Sequence, residues 1–291
     1  MEPIIVLHGG AGNIRLEDRE AYLKGLIKAR DIAYDRLESN QSAQQAVLAA
    51  VVNMENNKHA FNAGKGGAIN RDGVVESDAA IMLGNGSCGA VAAIKNTLNP
   101  ILIAQKVMTE TETVLLVAAG AEALVDKPIE NSELLTPRTL KALERWKKTN
   151  ETGSNTVGAV ALDKDGNFAA ATSTGGRLGK MPGRVGDTPI IGAGTYATTE
   201  MAISCTGEGE AFITAVTAKE LSIRLEFQKP KEAMTKVLND VKRFNGEGGI
   251  ICLYRQQIIV AFNTAQMAIA WKKPNANYAK VSSKAQIMIV D

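Results

Sequence analysis

The chain has 291 residues, 45% of them hydrophobic and 22% charged, with 33 Lys plus Arg against 31 Asp plus Glu for a net charge of +2. That balance is typical of a chain that buries a core, so it excludes wholesale disorder. It also excludes the charge footprint of a nucleic-acid or membrane-surface binder. Cys88, Cys205 and Cys252 are far apart and show no C-x-x-C spacing, so neither a disulfide scaffold nor a structural zinc site is expected. The apolar run at residues 4–7 is too short for a signal-peptide core, and no stretch reaches about 18 apolar residues. A cytoplasmic protein with reduced thiols is expected.

In chain order, residues 4–7 read as a buried strand stopped by Gly9-Gly10. The apolar spacing of Leu23, Leu26, Ile27, Ala33 and Leu37 predicts a helix over about 16–37. Ser42 and Gln45 form a capping box that opens a second helix. Residues 61–90, rich in Gly and Ala, suit short strands. Asn99-Pro100 and Thr136-Pro137 are helix starts, with Asn99 read as an N-cap. Residues 114–117 fit either a strand or a helix. The polar stretch 147–155 is the clearest linker. After it, residues 156–163 and 168–172 form a hairpin about Asp165-Gly166. Strands follow at 190–193 and 201–205, helices at 210–228 and 230–241, and strands at 250–254, 258–262 and 267–271. Helices and hairpins occur in blocks, which favours an α+β protein of antiparallel sheets covered by helices over a doubly wound parallel sheet.

Three glycine clusters could carry chemistry: His8-Gly9-Gly10-Ala11-Gly12, Asn62-Ala63-Gly64-Lys65-Gly66-Gly67 and Thr206-Gly207-Glu208-Gly209-Glu210. Glycine allows close backbone approach to a ligand, but none of these matches a P-loop or a dinucleotide loop, and each alone is readily a tight turn. Arg184 and Asp187, three residues apart in a Gly-bracketed loop, can grip the carboxylate and ammonium of one zwitterion or form a plain surface pair. Only His8 and His59 are present and no G-x-S-x-G elbow occurs, so a histidine triad is poorly supported. His8 is read as a satisfied structural histidine and His59 as solvated. A hydrolase built from this chain needs another base. The α-amino group of an N-terminal Thr, with an ordinary pKa of about 7.7–8.0, would serve.

At Ser154-Asn155-Thr156-Val157-Gly158-Ala159-Val160-Ala161-Leu162-Asp163 the chain resembles the plant-type L-asparaginase and isoaspartyl peptidase family of N-terminal nucleophile hydrolases. Nearly the whole chain takes part. His8-Gly9-Gly10-Ala11-Gly12, Phe61-Asn62-Ala63-Gly64, Ser173-Thr174-Gly175-Gly176, Pro182-Gly183-Arg184-Val185-Gly186-Asp187, Thr206-Gly207-Glu208-Gly209-Glu210 and Phe262-Asn263-Thr264 stand in the family's order.

The resemblance implies a four-layer αββα sandwich and a single domain over 1–291. It implies self-cleavage between Asn155 and Thr156 into pieces 1–155 and 156–291, leaving Thr156 as nucleophile. It makes Thr174 the threonine bonded to that nucleophile, Thr206 and Gly207 the oxyanion donors, and Asn62 an asparagine beside the nucleophile. Arg184, Asp187, Gly207 and Gly209 become substrate contacts. No organic cofactor and no catalytic metal are implied; a structural sodium ion on the carbonyls of the loop from Glu55 to Phe61 is. The implied substrates are L-asparagine and β-aspartyl dipeptides, with no nucleic-acid or membrane partner, and the implied assembly is a dimer of cleaved heterodimers. The chain departs from the family pattern in having Asn155 where Gly or Asp usually precedes the nucleophile. It also runs from Asn263-Thr264 to Ala270-Trp271-Lys272-Lys273 without the usual Arg-Gly. Two other readings stay open: a glycosylasparaginase, and an uncleaved homologue that binds aspartate-like ligands without catalysis.

Overall fold

The computed structural model describes residues 1–149 and 155–291. Most of the polar linker expected before Asn155 therefore lies outside the described residues. The elements run β1 (Ile4–Gly12), α1 (Arg19–Glu38), α2 (Ala43–Glu55), β2 (Ser77–Leu83), β3 (Cys88–Ile94), α3 (Pro100–Glu110), β4 (Leu115–Val117), α4 (Ala118–Glu122) and α5 (Pro137–Thr149). The second half runs β5 (Val157–Leu162), β6 (Phe168–Thr174), β7 (Thr195–Thr198), β8 (Met201–Gly207), α6 (Gly209–Ala215), α7 (Thr217–Phe227), α8 (Pro230–Arg243), β9 (Gly248–Tyr254), β10 (Gln257–Phe262), β11 (Gln266–Lys273), β12 (Ala276–Ser283) and β13 (Gln286–Val290).

Among the described residues two sheets form, in the orders β12-β11-β1-β5-β6-β2-β3-β4 and β13-β10-β9-β8-β7. Pairing is antiparallel apart from the β3–β4 pair and one isolated bridge. Strand side chains alternate between faces, and each face finds its own core. Ile5 and Leu7 of β1 face α1 and α2 with Leu26, Val47 and Val51. Ile4 and Val6 face the second sheet with Val160, Ile251 and Val260. The outer face of that sheet packs Ile203, Cys205 and Ile250 against Phe212, Leu221 and Val237 of α6 to α8. The order helices, sheet, sheet, helices is the expected αββα sandwich.

The capping box at Ser42 and Gln45 is formed, with both reciprocal bonds present. Asn99 precedes α3 but makes no capping bond; its amide is drawn to Glu55 Oε2 and Asn56 Oδ1, each at 3.0 Å. Residues 190–193 are not a strand. Ile190 N–H and Ala193 N–H close turns onto Asp187 and Ile190 carbonyls, and the strand begins at Thr195. The helix expected over 210–228 breaks at Val216, which takes a left-handed φ of 47° and separates α6 from α7. Strands β12 and β13 escape sequence reading because they are half-exposed edge strands with mixed polar and apolar residues.

Candidate active site

Strand alternation fixes which side chains meet between the sheets. On β6, Phe168 and Ala170 face the second sheet, so Thr172 and Thr174 do too. On β8, Ala202 faces inward, followed at period two by Ser204 and Thr206. On β1, Ile4 and Val6 lead to His8, and β5 begins beside it, His8 pairing with Gly158. At the end of an otherwise apolar layer these strands gather His8, Thr156, Thr172, Thr174, Ser204 and Thr206, all buried.

Thr156 is held at three atoms. Its Oγ1 donates to Thr174 Oγ1 at 3.2 Å, and its amide N–H donates to Thr206 Oγ1 at 3.3 Å. Its carbonyl lies 3.1 Å from His8 Nδ1. Thr174 Oγ1 also accepts from Gly176 N–H at 3.0 Å. His8 is a buried structural histidine, as expected. Burial drives its pKa down to about 3, against a smaller upward pull from its bond to Thr156, so the ring is neutral. His59 is exposed.

Thr156 is only 2% exposed, and Asn155 before it is partly buried, its Nδ2 donating to the Tyr22 hydroxyl at 3.4 Å. Gly10, at φ 113°, has no room for a side chain because a Cβ there would stand 2.7 Å from Asn155 Oδ1. Asn155 forms part of the wall of a cavity of about 380 Å³ together with Tyr22, Asn62, Arg138, Gly207 and Thr264. Asn62 reaches this cavity but spends its amide on the loops around it. Its Nδ2 donates to Gly176 O at 2.7 Å, and its Oδ1 accepts from Ala68 N–H at 2.6 Å. No described bond joins it to Thr156. Gly207 follows Thr206 at the end of β8 with φ 145°.

Arg184, Asp187 and Gly209 form a second group. Gly176 touches both groups, since its N–H reaches Thr174 and its Cα faces Lys180 and Arg184. Arg184 uses its fork: Nε and Nη2 donate to the two oxygens of Glu210 at 2.9 and 2.7 Å, a bidentate carboxylate grip. Asp187 is buried, and its Oδ2 has no partner among the described residues. Burial pushes its carboxyl up to about 7, only partly opposed by its own backbone N–H and by Arg184. An orphaned buried carboxylate oxygen beside a carboxylate-binding fork is complementary to an α-amino acid head. A Cβ on Gly209 would lie 2.9 Å from Asp187 Oδ1 and 3.0 Å from Arg184 Nη2. Gly209→Ala is therefore expected to raise KM for L-asparagine about 10-fold by crowding both groups. The added Ala favours the first turn of α6, so the melting temperature should hold. An unchanged KM would separate Gly209 from the substrate pocket.

Three supports were not legible as site residues. Glu55, fully buried, accepts from Ser173 Oγ at 2.6 Å and Ile101 N–H at 3.1 Å. Burial raises its pKa to about 8, against hydrogen bonds that lower it, the one from Ser173 foremost. Asp78 Oδ2 accepts from Gly186 N–H at 3.3 Å and steadies the Arg184–Asp187 loop. Lys180, buried beside Asp78 and Glu76, donates to Glu76 O at 2.8 Å. A buried Asp, Glu or Lys has no local signature; only the period-two pairs Thr172/Thr174 and Ser204/Thr206 left a readable trace.

A family model described as Asparaginase matches residues 1–281. The chain belongs to this asparaginase family. An isoaspartyl peptidase/L-asparaginase of Xenopus laevis is 42% identical over 288 residues, covering 93% of this chain and 92% of the relative. The protein of that name from Homo sapiens is 42% identical, with 86% of each chain covered. An isoaspartyl peptidase of Escherichia coli (strain K12) is 36% identical, with 92% of each covered. Among the described residues no group of three or more His, Cys, Asp and Glu could hold a metal ion, and no helix is long and apolar enough to cross a membrane.

Proposed function

We propose that this asparaginase-family chain hydrolyses L-asparagine and β-aspartyl dipeptides after cutting itself between Asn155 and Thr156. The observation that carries the reading is the hold on Thr156, whose hydroxyl and amide are each bonded to a threonine hydroxyl, at 3.2 and 3.3 Å. In the first reaction the Thr156 hydroxyl attacks the Asn155 carbonyl. The peptide bond shifts to an ester, whose hydrolysis frees the α-amino group of Thr156. In the second, Arg184 takes the substrate α-carboxylate in place of Glu210, and Asp187 takes the ammonium. The side-chain carbonyl then meets Thr156, whose amine accepts the hydroxyl proton directly or through water. Thr206 Oγ1 and Gly207 N–H face the oxyanion, where one lost donor typically costs about 10²–10³ in rate. Ammonia or an amino acid leaves, and water releases aspartate.

No step passes through a metal. We place a structural sodium ion on the neutral backbone carbonyls of residues 56–60, donors of the kind a hard cation accepts. The flanking carbonyls are already engaged, Glu55 O by Lys65 N–H at 2.8 Å and Phe61 O by Arg138 Nη2 at 2.5 Å. The proposed setting is the cytoplasm and the proposed assembly a dimer of cleaved heterodimers; the three free cysteines support the former.

The test is intact mass under denaturing conditions during incubation, followed by ammonia release from L-asparagine and amino-acid release from a β-aspartyl dipeptide. Two fragments parted at Asn155–Thr156 and release from both substrates are expected. A lasting single 30.9 kDa chain that binds aspartate without turnover would overturn the reading. Turnover of a glycosyl-asparagine in place of these substrates would move the assignment to glycosylasparaginase.

A further inference from the structure

Behind the nucleophile lies a buried polar chain that the mechanism above does not use. It runs from Thr156 O to His8 Nδ1 at 3.1 Å, and from His8 Nε2 to Ser204 Oγ at 2.9 Å. It continues from Ser204 Oγ to Thr172 Oγ1 at 2.8 Å and from Thr172 to Thr195 Oγ1 at 2.8 Å. Thr195 Oγ1 lies 3.0 Å from the carbonyl of Thr188, the residue after Asp187. Every side chain in it is at most 2% exposed. The first sheet leaves room for the ring because residue 158 is glycine: a Cβ there would collide with both His8 Nε2 and Ser204 Oγ.

A proton inventory limits what this chain can do. Both ends are carbonyls, which only accept. A neutral imidazole brings one N–H and the three hydroxyls one proton each, so four protons serve five contacts. One contact must go without. If the vacancy fell at the ring, the lone pairs of Nδ1 and Thr156 O would face each other, and the ring, wedged against Gly158, cannot turn away. The Thr195 hydroxyl at the far end can rotate. The vacancy therefore falls there, the Ser204 hydroxyl donates to Nε2, and Nδ1 carries the hydrogen. The bond at one ring nitrogen fixes the tautomer at the other.

We infer that His8 is a positioning residue for Thr156, its Nδ1–H holding the Thr156 carbonyl while Ser204, backed by Thr172, imposes the tautomer that makes this possible. With its peptide bond to Asn155 cut, Thr156 loses its tether on one side. The carbonyl bond then fixes the residue whose amine must reach its own hydroxyl proton. Misplacing reacting groups by about an ångström can cost about 100-fold in rate. The inference rests on the reading of Thr156 as nucleophile.

Two substitutions separate the two ring bonds. The amide of Asn can stand where Nδ1 stands, and that of Gln where Nε2 stands. His8→Gln keeps a partner for Ser204 and abandons the Thr156 carbonyl. His8→Asn does the reverse. With kinetics counted per cleaved chain, His8→Gln is expected to lower kcat for L-asparagine about 10- to 100-fold with KM within about twofold. His8→Asn should recover most of that loss. Equal losses in the two variants would show that the ring only fills space, and no loss in His8→Gln would remove the bond from catalysis; either overturns the inference.

A measurement on the unsubstituted protein covers the case in which neither variant folds. The chain has two histidines and His59 is exposed, so ¹⁵N resonances of the buried ring can be assigned. A neutral ring protonated at Nδ1 across pH 5–9 is expected, and an Nε2–H tautomer overturns the inference. If the unsubstituted protein neither cuts itself nor hydrolyses asparagine, the functional reading fails while the tautomer result stands apart from it.

Discussion

Thr156→Ala is expected to remain one folded 291-residue chain with no measurable asparagine hydrolysis. The same hydroxyl is used twice, first on the Asn155 carbonyl and then on substrate, and nothing else among the described groups can replace it. Thr174 Oγ1 is already engaged by Gly176 N–H, the ring of His8 faces the Thr156 carbonyl, and Thr206 lies on the amide side. Residual turnover should fall below about 10⁻⁴ of the unsubstituted rate, as when a nucleophile is removed from other hydrolases. The fold should survive, because only a hydroxyl and a methyl are lost; the stability change should be about 1 kcal/mol. Thr156→Ser keeps a hydroxyl and should retain part of both reactions. Intact mass and an ammonia assay on protein freed of host enzyme decide the matter. A cut or active Thr156→Ala chain would end the assignment.

Asp187→Asn is expected to give a more stable protein that holds its substrate far more weakly. Burial lifts the Asp187 carboxyl from its ordinary 3.8 to about 7. Between those values the folded chain holds a proton that the unfolded chain has released. The Asp187 contribution to stability is therefore present in full only below the unfolded pKa. It declines as pH rises through this window and is gone above about 7. Glu55, lifted to about 8, acts in the same direction over a similar range. At about 1.4 kcal/mol per unit, the ionised Asp187 costs the empty protein on the order of 4 kcal/mol, which a neutral amide avoids.

A substrate ammonium would meet that buried charge, and its loss should raise KM about 100-fold. For the unsubstituted enzyme, kcat/KM should decline as pH falls below about 7, where Asp187 takes up a proton. Melting curves at pH 8 and asparagine kinetics test both halves. An Asp187→Asn protein that melts lower, or binds asparagine as before, contradicts the argument. Stability withheld at a ligand-binding carboxylate is a recurrent exchange between fold and function.

Much of the molecule was legible because its pieces carry local rules. Capping boxes, Pro at helix starts and the Asp165-Gly166 turn announce themselves over four residues. The site residues were named through motifs in family order, and the structure places Thr156, Thr174 and Thr206 together and Arg184, Asp187 and Gly209 together. Long-range partnerships were not legible. Asn99 looks like a cap until Glu55, 44 residues earlier, takes its amide. Residues 190–193 are apolar enough for a strand, but their N–H groups close turns around Asp187. The break at Val216 has no glycine or proline to mark it. A left-handed valine stands there, where the N–H groups of Ala218 and Lys219 turn to the distant carbonyls of Ala193 and Gly192, which a single sequence does not display.

The two-faced polarity of β6 bears on how this sheet finds its alignment during folding. Its sequence, Phe-Ala-Ala-Ala-Thr-Ser-Thr, puts alanine on both faces after the first residue, and it lies between β5 and β2, both with several small residues of their own. Shape complementarity is a weak guide among alanines, and a shift by one residue would exchange the two faces of the strand. The hydroxyls supply what shape lacks. Ser173 points to the helical side, where Glu55 waits, while Thr172 and Thr174 point between the sheets to Ser204 and Thr156. A one-residue slip would turn Ser173 away from Glu55 and drive both threonines into the apolar layer under α2. That would leave at least three buried polar groups without partners, at about 1–3 kcal/mol each. The groups arranged for chemistry thus also serve as the alignment code of an alanine-rich sheet.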